Sequence, residues 1–119
     1  MTLPPIHLDP RFHLASDHVN RGEFAEAGDL FEELFFEAAG DELEFARTFL
    51  QVSVGFLHAD QGQRRPAIER LGEGILAIDR VTDARGFDLA ALRRDVAGVI
   101  ESIREGRRFA FPSIARTSG

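Results

Sequence analysis

The spacing of apolar residues is the feature that most constrains how this chain folds. In segments 24–38 and 89–103 the apolar side chains recur every three or four residues, which places them on one face of a helix. No segment shows the strict alternation of a half-buried strand. The length of 119 residues fits one domain. We therefore predict an all-α, single-domain bundle of about five helices, in which short loops make neighbouring helices antiparallel, as helical hairpins.

Capping residues and glycines mark the ends of the predicted helices. Asp9 before Pro10 is expected to begin the first helix, and Asp88 the fifth. Asp41 with Glu44 three residues later resembles a capping box at the start of the third helix. The glycines expected to end helices are Gly22, Gly40, Gly62 and Gly106. The predicted organisation is an N-terminal strap over 1–10, a helical bundle domain over 11–106 and a C-terminal tail over 107–119.

Two stretches of the chain resemble each other and form an internal repeat. "RGEFAEAGDLF" at 21–31 and "QGQRRPAIERL" at 61–71 share a glycine, an alanine and then an apolar residue at the same spacings. The distance from one stretch to the other lies in the range of helix-hairpin repeats. We interpret the repeat as two similar hairpins packed side by side. In the second of them, Gly72 and Gly74 are expected to permit close helix packing rather than to end the helix.

The predicted third helix carries a candidate polar site. Its apolar residues cover an arc of roughly 200° on a helical wheel, which is typical of a central helix with several neighbours. Arg47, Gln51 and His58 lie close together on the remaining arc, and Gly55 leaves room there for another backbone or a ligand. Glu32, on the second helix, stands at the border of the core face. Glu32, Arg47, Gln51 and His58 are therefore the candidate ligand-binding residues.

The role of His58 has two interpretations. A histidine can act as a ligand or as a proton-transfer group. It can also be a structural residue near a helix C-terminus, where the helix dipole favours a cation. The sequence favours the structural role, because His58 stands on a narrow polar stripe near the C-terminal end of its helix.

The residues that metal or enzyme chemistry needs do not form a known pattern. One face of the second helix carries the acidic residues Glu26, Asp29, Glu33 and Glu37. Such a face is usually only solvated. A di-metal bundle would need Glu-x-x-His pairs, and the sequence has none. The nucleophile, dinucleotide and zinc-protease motifs are also absent. We predict no catalytic residue, and the sequence leaves any metal or cofactor unknown.

Composition narrows the class of partner and the location. The net charge of −6 argues against nucleic-acid binding, which depends on a basic surface. The absence of cysteine fits the cytoplasm. The first residues do not form a signal peptide, and no apolar run is long enough to cross a membrane. We therefore expect a cytoplasmic protein with neither a nucleic-acid nor a membrane partner.

Phenylalanine residues supply the candidate partner surface. Phe36 falls on the polar side of the second helix, where it would be exposed. Phe109 and Phe111 belong to the tail, which can pack back onto the bundle or onto a partner. The sequence leaves these two possibilities open.

Two stretches together resemble the small helical bacterial and archaeal proteins grouped as domain of unknown function family 309. "NRGEFAEAGDLFEELF" at 20–35 resembles that family's N-x-G-x-Y/F-x-E-A-H-E-x-L-E-x-L-W signature, and "FLQVSVGFLHADQGQRRPAIERL" at 49–71 resembles its L-I-Q-x-A-x-G-x-x-H-x-x-x-G-N-x-x-G-A stretch. The positions that match are Asn20, Gly22, Glu32, Gln51, Gly55, His58, Gly62 and Ala67. The resemblance implies a bundle of about five helices and no established activity.

The departures from the family pattern bear on any site between the second and third helices. Gly28 stands where the family has histidine, and Asp29 stands where it has glutamate. Phe35, Gln63 and Pro66 replace tryptophan, asparagine and glycine. A metal or acid–base function that rests on the missing histidine is therefore in doubt for this chain.

Two functional hypotheses follow. The first is a noncatalytic protein-interaction module, which self-associates as a homodimer or binds a protein partner. The second is a small-ligand or metal-binding protein, a degenerate enzyme, that uses the polar site between the second and third helices. The sequence favours the first hypothesis.

Overall fold

The computed structural model describes residues 4–117 and is all-helical, as the apolar spacing predicts. A 3-10 turn at Ile6–Leu8 comes first. The five helices are α1 (Pro10–Asn20), α2 (Phe24–Glu37), α3 (Glu42–Asp60), α4 (Arg64–Arg80) and α5 (Leu89–Glu105). Within the described part of the chain there is no strand, only one isolated bridge between Phe87 and Arg116. Residues 1–3 of the predicted strap and 118–119 of the predicted tail lie outside the described residues.

Each helix packs against its neighbours in sequence, and the pairing of α3 with α4 is the most extensive. Three-residue turns join α1 to α2 and α3 to α4. A connection this short makes the next helix run back along the previous one, so each pair is an antiparallel hairpin. The molecule measures 49 × 27 × 24 Å along its principal axes. The third helix is central, as predicted, because it packs against both α2 and α4.

The caps of the first and fifth helices are confirmed. Asp9 accepts a hydrogen bond from the Arg11 amide at the start of α1, and Asp88 accepts one from the Ala91 amide at the start of α5. Gly106 ends α5 with a φ of +68°, a conformation that glycine adopts without strain.

The third helix begins after Asp41, as predicted, but the predicted capping box does not form, and the predicted end of the second helix is wrong. Asp41 makes no capping hydrogen bond at the start of α3. In the first turn of α3, the carboxylate of Glu42 accepts a hydrogen bond from the Ile6 amide of the strap at 2.8 Å. The second helix ends at Glu37 rather than near Gly40, because Ala38 is already extended. The first turn of α3 is thus tied to a part of the chain that is distant in sequence.

Phenylalanine rings fill the middle of the core. Phe12 of α1 is fully buried, and its ring contacts the rings of Phe31, Phe45, Phe49 and Phe87 at centroid distances of 5.0–5.5 Å. These partners come from α2, from α3 and from the loop before α5. Because edge-to-face and offset contacts are favourable between aromatic rings, one side chain joins four segments of the fold.

The internal repeat in the sequence is confirmed as a structural repeat. The turn after α1 and the turn after α3 have the same backbone hydrogen bonds at equivalent positions. Gly22 and Gly62 correspond to each other, with φ values of +77° and +73°. The shared alanines, Ala27 and Ala67, are both fully buried. The α1–α2 and α3–α4 hairpins are therefore two copies of one unit.

Small residues let α3 and α4 approach closely. A Cβ added to Gly55 would lie 2.5 Å from Leu71 Cδ2 and 3.2 Å from the Leu71 amide nitrogen. A Cβ added to Gly74 would lie 2.9 Å from Val52 Cγ2. The neighbour that Gly55 admits is therefore another helix rather than a ligand. The prediction of close packing is confirmed for Gly74 and is wrong for Gly72, which faces open space.

Candidate functional site

The structure gives three of the four predicted ligand-binding residues separate partners. Arg47 forms an ion pair with Glu44 at 3.5 Å and lies over the Phe35 ring. Gln51 accepts a hydrogen bond from Arg70 of α4 at 3.3 Å. Glu32 is exposed. Among residues 4–117, no hydrogen bond or ion pair joins any two of the four predicted residues, so these contacts assemble no common site.

His58 holds a turn. Its Nδ1 donates to Oε1 of Gln63 across the α3–α4 connection, at 2.5 Å. The same turn is closed by the backbone, because the Gln63 amide donates to the His58 carbonyl at 2.9 Å. The side-chain bond therefore reinforces the reversal of the chain at Gly62.

His18 makes the equivalent contact in the first hairpin. It occupies the position of His58 in the first copy of the repeat, and its Nδ1 is 2.9 Å from Oε1 of Glu23. The His18 hydrogen bond holds the pKa of the Glu23 carboxyl below its ordinary value, and Arg21 adds to the effect. The chain thus has the same clamp in both hairpins, which supports the structural interpretation of His58.

Removal of the second clamp tests the role of His58. We expect His58→Ala to lower the free energy of unfolding by about 1 kcal/mol, the net contribution of one hydrogen bond. Gln63→Ala should lower it by a similar amount, and the double variant by little more than either alone, because the two side chains share one interaction. Thermal unfolding followed by circular dichroism measures all three.

The ligand-binding interpretation predicts a different result for the same variants. Stability without ligand would then be unchanged in His58→Ala, and stabilisation by an added metal or anion would be lost. Two independent, additive effects of His58→Ala and Gln63→Ala would also contradict the clamp.

The acidic face of α2 is exposed to solvent. Among residues 4–117, no group of three or more histidine or acidic side chains is placed to hold a metal ion. The one member of this face with a cationic partner in another helix is Glu37, which binds Arg11 of α1 at 2.5 Å and 3.0 Å. Arg11 lowers the pKa values of both Glu37 and Asp9. These contacts support a structural role for Glu37, which joins α1 to α2.

The candidate partner surface divides into two regions. Phe36 is 76% exposed, as predicted. Phe109 and Phe111 are half-buried and pack against the core. The ring of Phe111 contacts Phe24 at the other end of α2, and the rise of α2 over the twelve steps from Phe24 to Phe36 is about 18 Å. The tail therefore packs back onto the bundle, and Phe36 stands apart from it.

An extended segment of the tail lies in a groove of the helical domain. Asn20, the last residue of α1, binds the main chain of Ile114 with both atoms of its amide group. Its Oδ1 accepts from the Ile114 amide at 2.8 Å, and its Nδ2 donates to the Ile114 carbonyl at 3.2 Å. A side-chain amide bonded in this way recognises the extended backbone of a residue, whatever side chain that residue carries. Ile114 itself is only 8% exposed.

Two further contacts place the tail on either side of Asn20. Phe111 packs against both Phe24 of α2 and Phe56 of α3, with centroid distances of 4.7 Å and 5.3 Å, and these two rings also contact each other at 5.5 Å. Beyond Ile114, the Asp88 amide donates to the Ala115 carbonyl, and the Thr117 amide donates to the Gly86 carbonyl. The groove thus offers an aromatic surface at Phe24 and Phe56, a backbone clamp at Asn20 and a short edge for β-type pairing at 86–88, in that order. We call it the tail groove.

Open space adjoins the tail on both sides of Phe109. A groove of about 270 Å³ is lined by Ala59, Arg64, Ser102, Ile103, Arg107 and Phe109. A second, of about 510 Å³, runs between α5 and the tail and is lined in part by Gly98, Phe109, Phe111 and Pro112. Two of the three predicted partner-surface residues therefore line grooves.

The sequence alone indicated part of this arrangement. The internal repeat would have aligned His18 with His58 and Glu23 with Gln63, and so it contained the signal for the two clamps. Asn20 matches a position of the family motif, but the motif assigns no role to this residue. Nothing local predicts that it binds Ile114, which lies 94 residues away.

Comparisons with known proteins add no relative. No protein-family model, no curated protein and no solved structure matches this chain. Its resemblance to domain of unknown function family 309 therefore stays a prediction, which rests on the two motifs in 20–35 and 49–71. None of the helices in the described region is both long and apolar enough to cross a membrane.

Proposed function

We propose that this chain is a noncatalytic protein-interaction module of the cytoplasm that binds an extended peptide segment in the tail groove. The observation that carries the proposal is the bidentate contact of Asn20 with the main chain of Ile114. Contacts to peptide backbone supply affinity for an extended ligand, and pockets for its side chains supply specificity. The tail occupies the groove in the manner that a peptide partner would.

The chemistry of the partner follows from the segment that already fits. That segment reads "FAFPSI" at 109–114, with an aromatic residue that packs on the rings of Phe24 and Phe56 and a branched apolar residue beside Asn20. Proline between them favours extended backbone. An extended protein segment with an aromatic residue three positions before a branched apolar one is thus the expected partner. The net charge of −6 makes a nucleic acid a poor alternative.

The small-ligand hypothesis is the alternative. It needs Glu32, Arg47, Gln51 and His58 to act together. The contacts of three of them, with Glu44, Arg70 and Gln63, favour roles in holding the fold.

Binding of the tail in trans tests the proposal. The probe is a fluorescent peptide of residues 107–117, "RRFAFPSIART", and the protein is the full chain with Ile114→Asp, which detaches its own tail by placing a charge at a buried site. We expect the peptide to bind this variant at least tenfold more tightly than it binds the unaltered chain. A tethered tail competes at an effective concentration in the millimolar range. Fluorescence anisotropy measures both affinities.

Matched variants show whether the peptide occupies the tail groove. Adding Asn20→Ala to the Ile114→Asp chain should weaken binding by about 10- to 100-fold, because two hydrogen bonds of about 1 kcal/mol each are lost. Adding Asp60→Ala, at the equivalent exposed position of the second hairpin, should leave the affinity unchanged. No binding to an Ile114→Asp chain whose circular dichroism remains helical would refute the proposal.

A further inference from the structure

The tail from Phe111 to Thr117 is held by parts of the molecule other than the helix that precedes it. Its hydrogen bonds go to Asn20 and to the loop at 86–88, and its ring contacts outside the tail go to Phe24 and Phe56. Among the hydrogen bonds and ring contacts of residues 4–117, the contact between Phe109 and Phe111 is the one that joins it to the residues just before it. The bound segment is therefore separable from α5, although it is covalently attached to it.

The connection between α5 and this segment is short and exposed. Gly106 turns the chain with a φ of +68°, and the Arg107 amide donates to the Ser102 carbonyl at 2.8 Å. Arg107 and Arg108 are exposed. A side chain at position 106 would meet no atom within 4 Å, so only the backbone conformation ties that position to glycine. Residues 106–108 have the properties of a hinge.

We propose that the tail exchanges between two copies of this chain, so that each copy's residues 109–117 occupy the tail groove of the other. The proposal rests on the proposed function, because the same groove receives the segment. The structure already shows the contacts that the tail makes in this groove, and a second copy carries the same tail. Mutual exchange gives a dimer with two-fold symmetry in which both grooves are filled.

Charge favours this partner. Residues 107–117 contain three arginines and no acidic residue, whereas the whole chain has a net charge of −6. A cationic tail is attracted to the anionic body of either copy. Since the contacts within the groove are the same in the closed monomer and in the exchanged dimer, the hinge and the concentration decide between the two.

A hinge substitution tests the exchange. In Gly106→Ala the left-handed turn is strained, and a chain that continues straight on to the other copy relieves that strain. The free-energy penalty for alanine in this conformation corresponds to a factor of about ten in an equilibrium constant for each chain. Since a dimer contains two chains, we expect the dimerisation constant to rise on the order of 100-fold. Gly98→Ala is the matched control, because it lies within α5 and also faces open space. Light scattering during size-exclusion chromatography, over a range of concentrations, gives the mass of each variant.

A substitution in the tail provides the second part of the test. Adding Ile114→Asp to Gly106→Ala should return the protein to a monomer, since the detached tail then fits neither groove. A dimerisation constant that Gly106→Ala raises no more than Gly98→Ala does would overturn the exchange. A dimer that persists with Ile114→Asp would overturn it too, because another surface would then form the dimer. Either result leaves the proposed function standing if the tail peptide still binds the Ile114→Asp chain.

Discussion

Replacing Phe12 by alanine is expected to lower the free energy of unfolding by about 3–5 kcal/mol. Phe12 is fully buried, and its ring lies against four other phenylalanine rings. Truncation removes the transfer free energy of the ring and leaves a cavity among side chains that cannot all move inward together. Such a loss is a large share of the roughly 5–15 kcal/mol typical of a whole domain. Urea unfolding followed by circular dichroism is the suitable measurement, because the chain has no tryptophan.

Phe36→Ala is the matched control for this substitution. It deletes the same ring from a position that is 76% exposed, so we expect the stability to change by no more than about 0.5 kcal/mol. Comparable losses in the two variants would mean that Phe36 is covered in solution, for example by a second copy. A small loss in Phe12→Ala would contradict the aromatic core itself.

The second large effect is expected at the crossing of α3 and α4. Gly55→Ala should lower the free energy of unfolding by about 2 kcal/mol, since overpacking typically costs about 1–3 kcal/mol. The added methyl group would overlap Leu71 Cδ2 and Cγ, and it would lie 3.2 Å from the Leu71 amide nitrogen. Rotation of a side chain relieves only the first of these contacts. The backbone contact requires the two helices to move apart.

Gly72→Ala separates this clash from the general effect of replacing a glycine in a helix. Gly72 also lies within α4, and a Cβ there meets nothing within 4 Å. Alanine should therefore stabilise the chain by up to about 1 kcal/mol through its higher helix propensity. Thermal unfolding of the two variants should show shifts of opposite sign. A stabilising Gly55→Ala would show that α4 does not approach α3 as closely as described.

The helices could be predicted from the sequence because their signals are local. Apolar spacing depends on residues three and four apart, and the Asp9 and Asp88 caps act within two or three residues. The capping box predicted for the third helix does not form, and the Glu42 carboxylate in its first turn instead binds the Ile6 amide 36 residues away. No local pattern contains that partner.

The candidate site was predictable only in part, for the same reason. The helical wheel placed Arg47, Gln51 and His58 on one stripe. It could not show that Arg70 of α4 would bind Gln51, or that Gln63 would bind His58. The wheel also assigned Gly55 to the polar side, whereas it is buried. The tail groove depends on contacts between residues far apart in the sequence, which neither periodicity nor capping reports.

The packing of each helix on its sequence neighbours has a consequence for the order of folding. Proteins rich in local contacts fold fast, because little chain entropy is lost before contacts form. Each hairpin here closes through a three-residue turn, so the α1–α2 and α3–α4 units can form early and independently. The contact of Asn20 with Ile114 joins residues that are 94 positions apart. Formation of the helices does not depend on this contact. The tail is thus the last part of the chain to dock and the first to leave, and its groove opens without the bundle unfolding.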